Sequence, residues 1–338
     1  QLDGAVGWSV PEKRPELIAQ IVTAAFVALD DLPDKPKPRQ VSGNKKVTKI
    51  LSVKSPDLLA TPTKHWMNVV NNGSKLAGFI GDFQRCVAGG LFGYDKAPYP
   101  ISSAIYVGLR WHKHFDPDSS HNAWTIEDLN SLYKAFFWRN SLSRRYDQGF
   151  LTTIGSDIRL LKTMLSRRKQ FSSKAAWFTY CKDMFESDDL IPTSKLPTEA
   201  ELFEILTNGR PGGALQSAIQ LPIIAGVDKD INGIGISYPS DHSLELHHIY
   251  PTKWCKKNAS GELRDILDRD KAGKDWVNSV ANLMPLSRIT NNAWKELYPR
   301  NFIEEHDVTY KTAKGFFESV YIGKNEFELL SGGPEQIE

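Results

Sequence analysis

The chain has 338 residues, with 42 Lys and Arg against 40 Asp and Glu and 41% apolar side chains; at roughly 150 residues per domain this is enough for two domains, each with its own core. A formal net charge of +2 excludes a histone-like polycation, so any contact with nucleic acid has to come from local clusters of basic residues. The longest apolar run, Ile21 to Leu29, falls far short of the ~20 residues that a membrane-spanning helix needs and runs into Asp30 and Asp31.

In chain order, Leu17, Ile18, Ile21, Val22, Ala25 and Leu29 keep the spacing of one buried helix face, with Pro15 suited to the first turn. The breaker-rich stretch from Leu32 to Pro56 follows. Between Lys35 and Lys54 it carries Lys35, Lys37, Arg39, Lys45, Lys46, Lys49 and Lys54 and no acidic residue, and reads as a solvated linker or loop in preference to a phosphate-tracking arm. Thr125 with Asp128 three residues on predicts a capping box, and Leu129, Leu132, Tyr133, Phe136 and Phe137 the apolar stripe of the helix behind it. Arg144 and Arg145, near the end of that helix, suit the negative pole of its dipole. A further helix is expected over Ser156 to Ser166, and another from Thr198, with Glu201 as box partner, to a stop at Asn208-Gly209.

Around Gln216 the texture changes to short β-branched pieces punctuated by Gly226, Gly233, Gly235 and Pro239, and Ser243 to Ile249 reads as a strand. The expected fold class is α+β and predominantly helical: a helical scaffold over residues 1–215, then a smaller α+β domain over 216–338. Cys86, Cys181 and Cys255 form no Cys-x-x-Cys pair, which points away from a zinc ribbon or a disulfide scaffold and towards a reducing, cytoplasmic compartment. The chain starts at Gln1 without a charged and then apolar leader, and reads as a portion of a longer protein.

The chemistry-bearing residues lie in Glu245-Leu-His247-His248-Ile-Tyr-Pro251 and Asn282-Leu-Met-Pro-Leu-Ser-Arg288-Ile-Thr-Asn291. Hydrolysis of a phosphodiester needs a water deprotonated near neutral pH, which imidazole does, and charge on the leaving oxygen stabilised, which a divalent cation does. Adjacent histidines at a strand end point to opposite sides and can divide those tasks. A carboxamide oxygen on a following helix adds a neutral ligand and leaves positions open for water, as suits a catalytic Mg-like ion. Asn291 fits, on a helix opening after Thr290. The implied layout is strand, loop, strand, helix.

This pattern resembles the HNH, or ββα-metal, nucleases, in the branch with an H-x-x-P signature found in GmrSD-type and phosphorothioate-sensing restriction proteins. His248-Ile-Tyr-Pro251 matches the signature, and the nine-residue step from Asn282 to Asn291 matches the family spacing. The resemblance implies that His247 is the first metal ligand, His248 the general base, Asn282 the brace of the loop holding the base, and Asn291 the second metal ligand. Asn292 is an alternative to Asn291, though spacing favours the latter. Many relatives carry Asp where this chain has His247, which leaves the preferred ion open among Mg²⁺, Mn²⁺ and a softer metal. More loosely, Phe137 to Tyr146 and Ser156 to Ile158 are similar to the helical scaffold ahead of the nuclease domain. The family's amino-terminal ParB-like sensor and nucleotide-hydrolysing domain has a D-G-Q-Q-R motif that is not in this sequence, so the chain resembles the carboxy-terminal portion of such a protein. What this implies is a metal-dependent, nicking DNA endonuclease in bacterial anti-phage defence. The alternative is a noncatalytic module that grips DNA and docks a partner, and RNA is a third possible substrate.

Lys253, Lys256 and Lys257 directly follow the motif and are candidates for DNA-backbone contact, as are Arg264, Arg269, Lys271 and Lys274. Arg288 is the best placed to hold the scissile phosphate. Asp228-Lys-Asp230-Ile-Asn232-Gly233 imitates a calcium loop but has Pro239 at the twelfth position, where a bidentate Glu belongs, and reads as a turn. His112 and His114 read as surface histidines. Nothing in the spacing requires His242 or His306 at the site. Glu245 is either a carboxylate orienting a catalytic histidine or an exposed strand residue.

Overall fold

A computed structural model of the chain describes residues 15–29, 41–42, 45–46, 52–116, 123–187, 196–207, 213–236, 244–258, 260, 264–265, 267 and 276–332. The chain divides into two compact units. The first comprises Gln1–Val87, Gly93–Asp95 and Tyr99–Leu196, and the second Ala88–Phe92, Lys96–Pro98 and Pro197–Glu338. Most of the described residues are helical, with short antiparallel strand pairs, as expected for a mainly helical α+β chain. None of the described helices is long and apolar enough to cross a membrane.

The first unit contains α1 (Pro15–Leu29), the two-residue strands β1 (Val41–Ser42) and β2 (Lys45–Lys46), α2 (Ser55–Ala60), α3 (Thr63–Asn71), α4 (Gly73–Ala88), α5 (Ser103–Phe115), α6 (Ile126–Leu142), α7 (Phe150–Ser166) and α8 (Lys174–Glu186). Within the basic stretch, Lys45 and Lys46 form a strand paired with Val41 and Ser42, whereas Lys35, Lys37, Arg39 and Lys49 lie outside the described residues. Helix α1 is buried on nearly every side, because it carries apolar or small residues all round. Its main neighbour is α5. The approach is close enough that a Cβ on Gly108 would stand 3.0 Å from the Ala24 carbonyl oxygen and 3.4 Å from the Ala28 Cβ.

Helix α6 starts as expected. Thr125 Oγ1 accepts from Asp128 N at 3.0 Å, and Asp128 Oδ2 from Thr125 N at 2.9 Å. Leu129, Leu132, Tyr133, Phe136 and Phe137 are all buried. Phe83 meets Tyr133 and Phe137 edge-on at 6.0 and 5.9 Å. The end of α6 differs from expectation. Arg144 takes a left-handed φ of 56°, and Arg145 turns away from the helix to grip the buried Asp157 carboxylate, with Nη2 2.7 Å from Oδ1 and Nη1 on Oδ2. The Tyr146 hydroxyl donates to the same carboxylate. Burial raises the pKa of Asp157, and the Arg145 and Tyr146 hydrogen bonds oppose that rise. Arg145 is therefore half of an ion pair between the turn after α6 and α7, and α7 begins at Phe150, a turn and a half before the expected Ser156. His112 is also a correction: it is fully buried, with Nδ1 3.2 Å from Asp116 Oδ2, while His114 is exposed. Two residues apart on a helix, their rings face different ways and cannot chelate together.

The second unit contains α9 (Glu199–Thr207), α10 (Gly213–Gly226), β3 (Leu244–His248), α11 (Thr252–Asn258), β4 (Leu283–Ser287), α12 (Arg288–Trp294), α13 (Pro299–Glu305), α14 (Lys314–Ser319) and α15 (Lys324–Ser331). Thr198 and Glu201 form the expected capping box, and Asn208-Gly209 lies outside the described residues. The boundary expected at residue 216 moves forward to Pro197. The reason is packing: α10 lies against β4 and the short turn Val280–Asn282, and the Ser279 hydroxyl donates to the Leu206 carbonyl at the end of α9. Strands β3 and β4 are antiparallel, in a register running from Leu244 opposite Ser287 to His248 opposite Leu283. Behind them Met284, Leu286, Trp294, Phe302, Phe316 and Phe317 build the core, with Trp294 stacked on Phe302 at 4.2 Å.

The close approach of α1 and α5 yields a graded prediction. Gly108→Ala gains helix propensity of about 1 kcal/mol, which offsets its crowding, whereas Gly108→Val must move the α1 backbone and should cost roughly 1–3 kcal/mol. Denaturant unfolding of the two variants measures the difference.

Candidate metal and catalytic centre

Strand alternation sends the paired histidines to opposite sides. His247 turns inward, only 6% exposed, with its ring 5.0 Å from that of Trp294. Its Nδ1 donates to Asn291 Oδ1 at 2.6 Å. Burial lowers its pKa to about 4; the Asn291 hydrogen bond pulls the other way, and the neighbouring His248 adds to the lowering. The ring is therefore neutral across the physiological range, the form a metal ligand requires. Its Nε2 is buried and without a hydrogen-bond partner among the described residues. His248, half-buried, faces the other way, and its Nε2 donates to Asn278 Oδ1 at 2.7 Å.

Asn291 lies between two residues of one face of β3. Its Oδ1 meets His247, and its Nδ2 donates to the Glu245 carboxylate. Glu245 thus orients an asparagine; of the two alternatives it is closer to the buttressing carboxylate, acting on the carboxamide rather than directly on a histidine. Asn292 is exposed, so it is Asn291 that meets His247.

Helix α12 starts earlier than expected, at Arg288. Ser287 is its N-cap, accepting from Thr290 N at 3.1 Å. The turn at Asp228–Gly233 holds that cap. Asp230, 2% exposed, accepts from Ser287 N at 3.2 Å with one carboxylate oxygen, and from Asn232 N and Ile234 N at 3.0 and 2.9 Å with the other. Gly233 supplies the positive φ of 76° that the turn needs. The segment is a turn, as its sequence suggests, and its carboxylate is committed to backbone N–H groups; Pro239 lies outside the described residues.

Asn282 is buried, and its side chain ties together three backbone groups from two segments. Its Oδ1 accepts from Tyr250 N at 2.8 Å, and its Nδ2 donates to Tyr250 O at 3.0 Å and Val277 O at 2.7 Å. Its own carbonyl accepts from Ile249 N at 2.8 Å. The turn after His248 and the segment before β4 are locked to each other by one carboxamide.

The basic candidates are placed less specifically. Arg288 is exposed in the first turn of α12. Lys256 and Lys257 are exposed in the last turn of α11, and Lys253 forms an ion pair with Glu296. Arg264 donates to the Lys256 carbonyl at 3.1 Å. Arg269, Lys271, Lys274 and His242 lie outside the described residues. His306 is exposed, its ring 4.4 Å from Phe302.

The donors that converge are one imidazole nitrogen and one amide oxygen, with a carboxylate behind the amide. Among the described residues no group of three or more His, Cys, Asp and Glu is arranged to hold a metal. Sequence reasoning did not identify Asn278, Ser287 or the capping role of Asp230; the Ser287-x-x-Thr290 spacing was the one available signal among them. In comparisons with known proteins, no family model, no curated protein and no solved structure matches the chain.

Asn282→Ala would leave the Tyr250 N–H and the Val277 and Tyr250 carbonyls short of partners. Each buried group stranded in this way costs roughly 1–3 kcal/mol. Urea unfolding should show the loss, and hydrogen exchange should show the Tyr250 amide losing protection ahead of the amides of α12.

Proposed function

We propose that the second unit is a divalent-metal-dependent DNA endonuclease of the HNH, or ββα-metal, kind, serving a bacterial anti-phage restriction protein. The observation that carries this reading is the meeting of His247 and Asn291 on one side of a β3–β4–α12 unit, while His248 on the same strand faces the other side. The fit to the H-x-x-P signature and to the nine-residue step between Asn282 and Asn291 supports it.

In this reading His247 and Asn291 would hold the cation, with Glu245 fixing the Asn291 carboxamide through its Nδ2. When bound, the divalent ion supplies Lewis-acid stabilisation of negative charge on the phosphate and its departing oxygen. His248 takes a proton from water as the water oxygen attacks phosphorus in line. The new P–O bond forms as the bond to the 3′ oxygen breaks, and that oxygen takes a proton from solvent. Arg288 holds the scissile phosphate, while Lys253, Lys256 and Lys257 track the backbone without reading sequence. One such centre cuts one strand, so the product is a nick. Recognition of foreign or modified DNA belongs, by the same resemblance, to a ParB-like sensor domain.

Supercoiled plasmid incubated with Mg²⁺ or Mn²⁺ should be converted to the open circle, and chelation should stop the reaction. His248→Ala should slow nicking by roughly 10²- to 10⁴-fold while leaving DNA retention in a gel-shift assay unchanged. Retention without cutting under any ion would replace the enzyme with a DNA-gripping module, and cleavage confined to an RNA substrate would change the substrate class.

A further inference from the structure

We infer that Asn278 is the positioning residue that fixes the tautomer of His248, so that Nε2 carries the proton and Nδ1 presents its lone pair. The inference rests on the reading of His248 as general base and adds a residue that neither the signature nor the family spacing includes.

A neutral imidazole has one N–H and one lone pair, and a hydrogen bond at one nitrogen decides which is which. Asn278 Oδ1 lies 2.7 Å from His248 Nε2. A carboxamide oxygen only accepts, so the proton sits on Nε2 and Nδ1 is left as the acceptor. The ring is also held in rotation, since a proton acceptor has to be aimed as well as available.

The position of Asn278 is itself over-determined. It ends the short helical turn Trp276–Asn278. The preceding side chain, Val277, is fully buried in a cluster with Cys255 and Leu267, against which Tyr250 and Trp254 pack. The Val277 carbonyl accepts from Asn282 Nδ2, the same amide that donates to the Tyr250 carbonyl two residues past His248. The strand end carrying the imidazole and the turn carrying its acceptor are therefore pinned by one side chain, and the spacing of His248 and Asn278 is preset.

The test is the tautomer of His248 in the metal-free full chain, read by long-range ¹H–¹⁵N correlation on ¹⁵N-histidine protein at a pH where the ring is neutral. Wild type should show the Nε2–H form. Asn278→Ala should give a mixture of tautomers at His248 with the His247 signals unmoved. Asn278→Asp, which keeps an acceptor oxygen, should restore the Nε2–H form. In plasmid nicking, Asn278→Ala should lower kcat roughly 10- to 100-fold with KM unchanged, and Asn278→Asp should recover most of the rate. An Nε2–H tautomer that persists in a folded Asn278→Ala variant overturns the inference, as does an undiminished kcat alongside a scrambled tautomer. A wild-type chain that cuts nothing, yet loses the Nε2–H form on Asn278→Ala, upholds the positioning role and sinks the nuclease reading instead.

Discussion

The Asn282 carboxamide is the interaction on which the local architecture depends. It both gives and accepts hydrogen bonds, and it uses both capacities on backbone: one N–H and two carbonyls drawn from segments on either side of β3 and β4. An aspartate could accept from Tyr250 N but would face two carbonyl oxygens with nothing to donate. Each bond contributes only about 1 kcal/mol net, so the importance of the residue lies in geometry more than in energy. Without it, the end of the histidine-bearing strand and the turn of Asn278 would keep the His248–Asn278 hydrogen bond and the packing around Cys255 and Val277, but lose the side chain that fixes their backbones to each other.

Two buried polar assemblies in this chain make an instructive contrast. Around Asp157, the carboxylate receives both ends of the Arg145 guanidinium and the Tyr146 hydroxyl, so both its oxygens are engaged and it ties the turn after α6 to α7. Around Asn291 the saturation is incomplete. Glu245 and His247 engage the amide, but His247 Nε2 is left buried without a partner among the described residues. A saturated network rigidifies, while an unsatisfied polar atom in the interior calls for a specific explanation.

The parts legible in the sequence were those governed by short-range rules. The two capping boxes, the apolar stripe of α6, the strand carrying His247 and His248 and the approach of Asn291 all follow from periodicity, alternation or fixed spacing. The failures share a cause, namely tertiary partners that sequence proximity does not announce. Position alone suits Arg145 to a helix dipole, because its carboxylate, Asp157, belongs to the next helix. Ser287 and Thr290 are both able to cap, and the turn at Asp230 decides between them. The change of texture near Gln216 marks where strands begin to appear, whereas the unit boundary is set by what α9 and α10 pack against. Asn278 sits in an irregular turn, where neither a 2.0 nor a 3.6 period applies, and its pairing emerges only once Val277 is anchored.

The 2.6 Å contact between His247 Nδ1 and Asn291 Oδ1 has an implication for loading. These two atoms satisfy each other, one giving a proton and the other a lone pair, so they form a latch closed over their own polar capacity. On the reading proposed above, that hydrogen bond would have to open before either side chain could serve an ion, so occupancy would be governed by rearrangement of the pair.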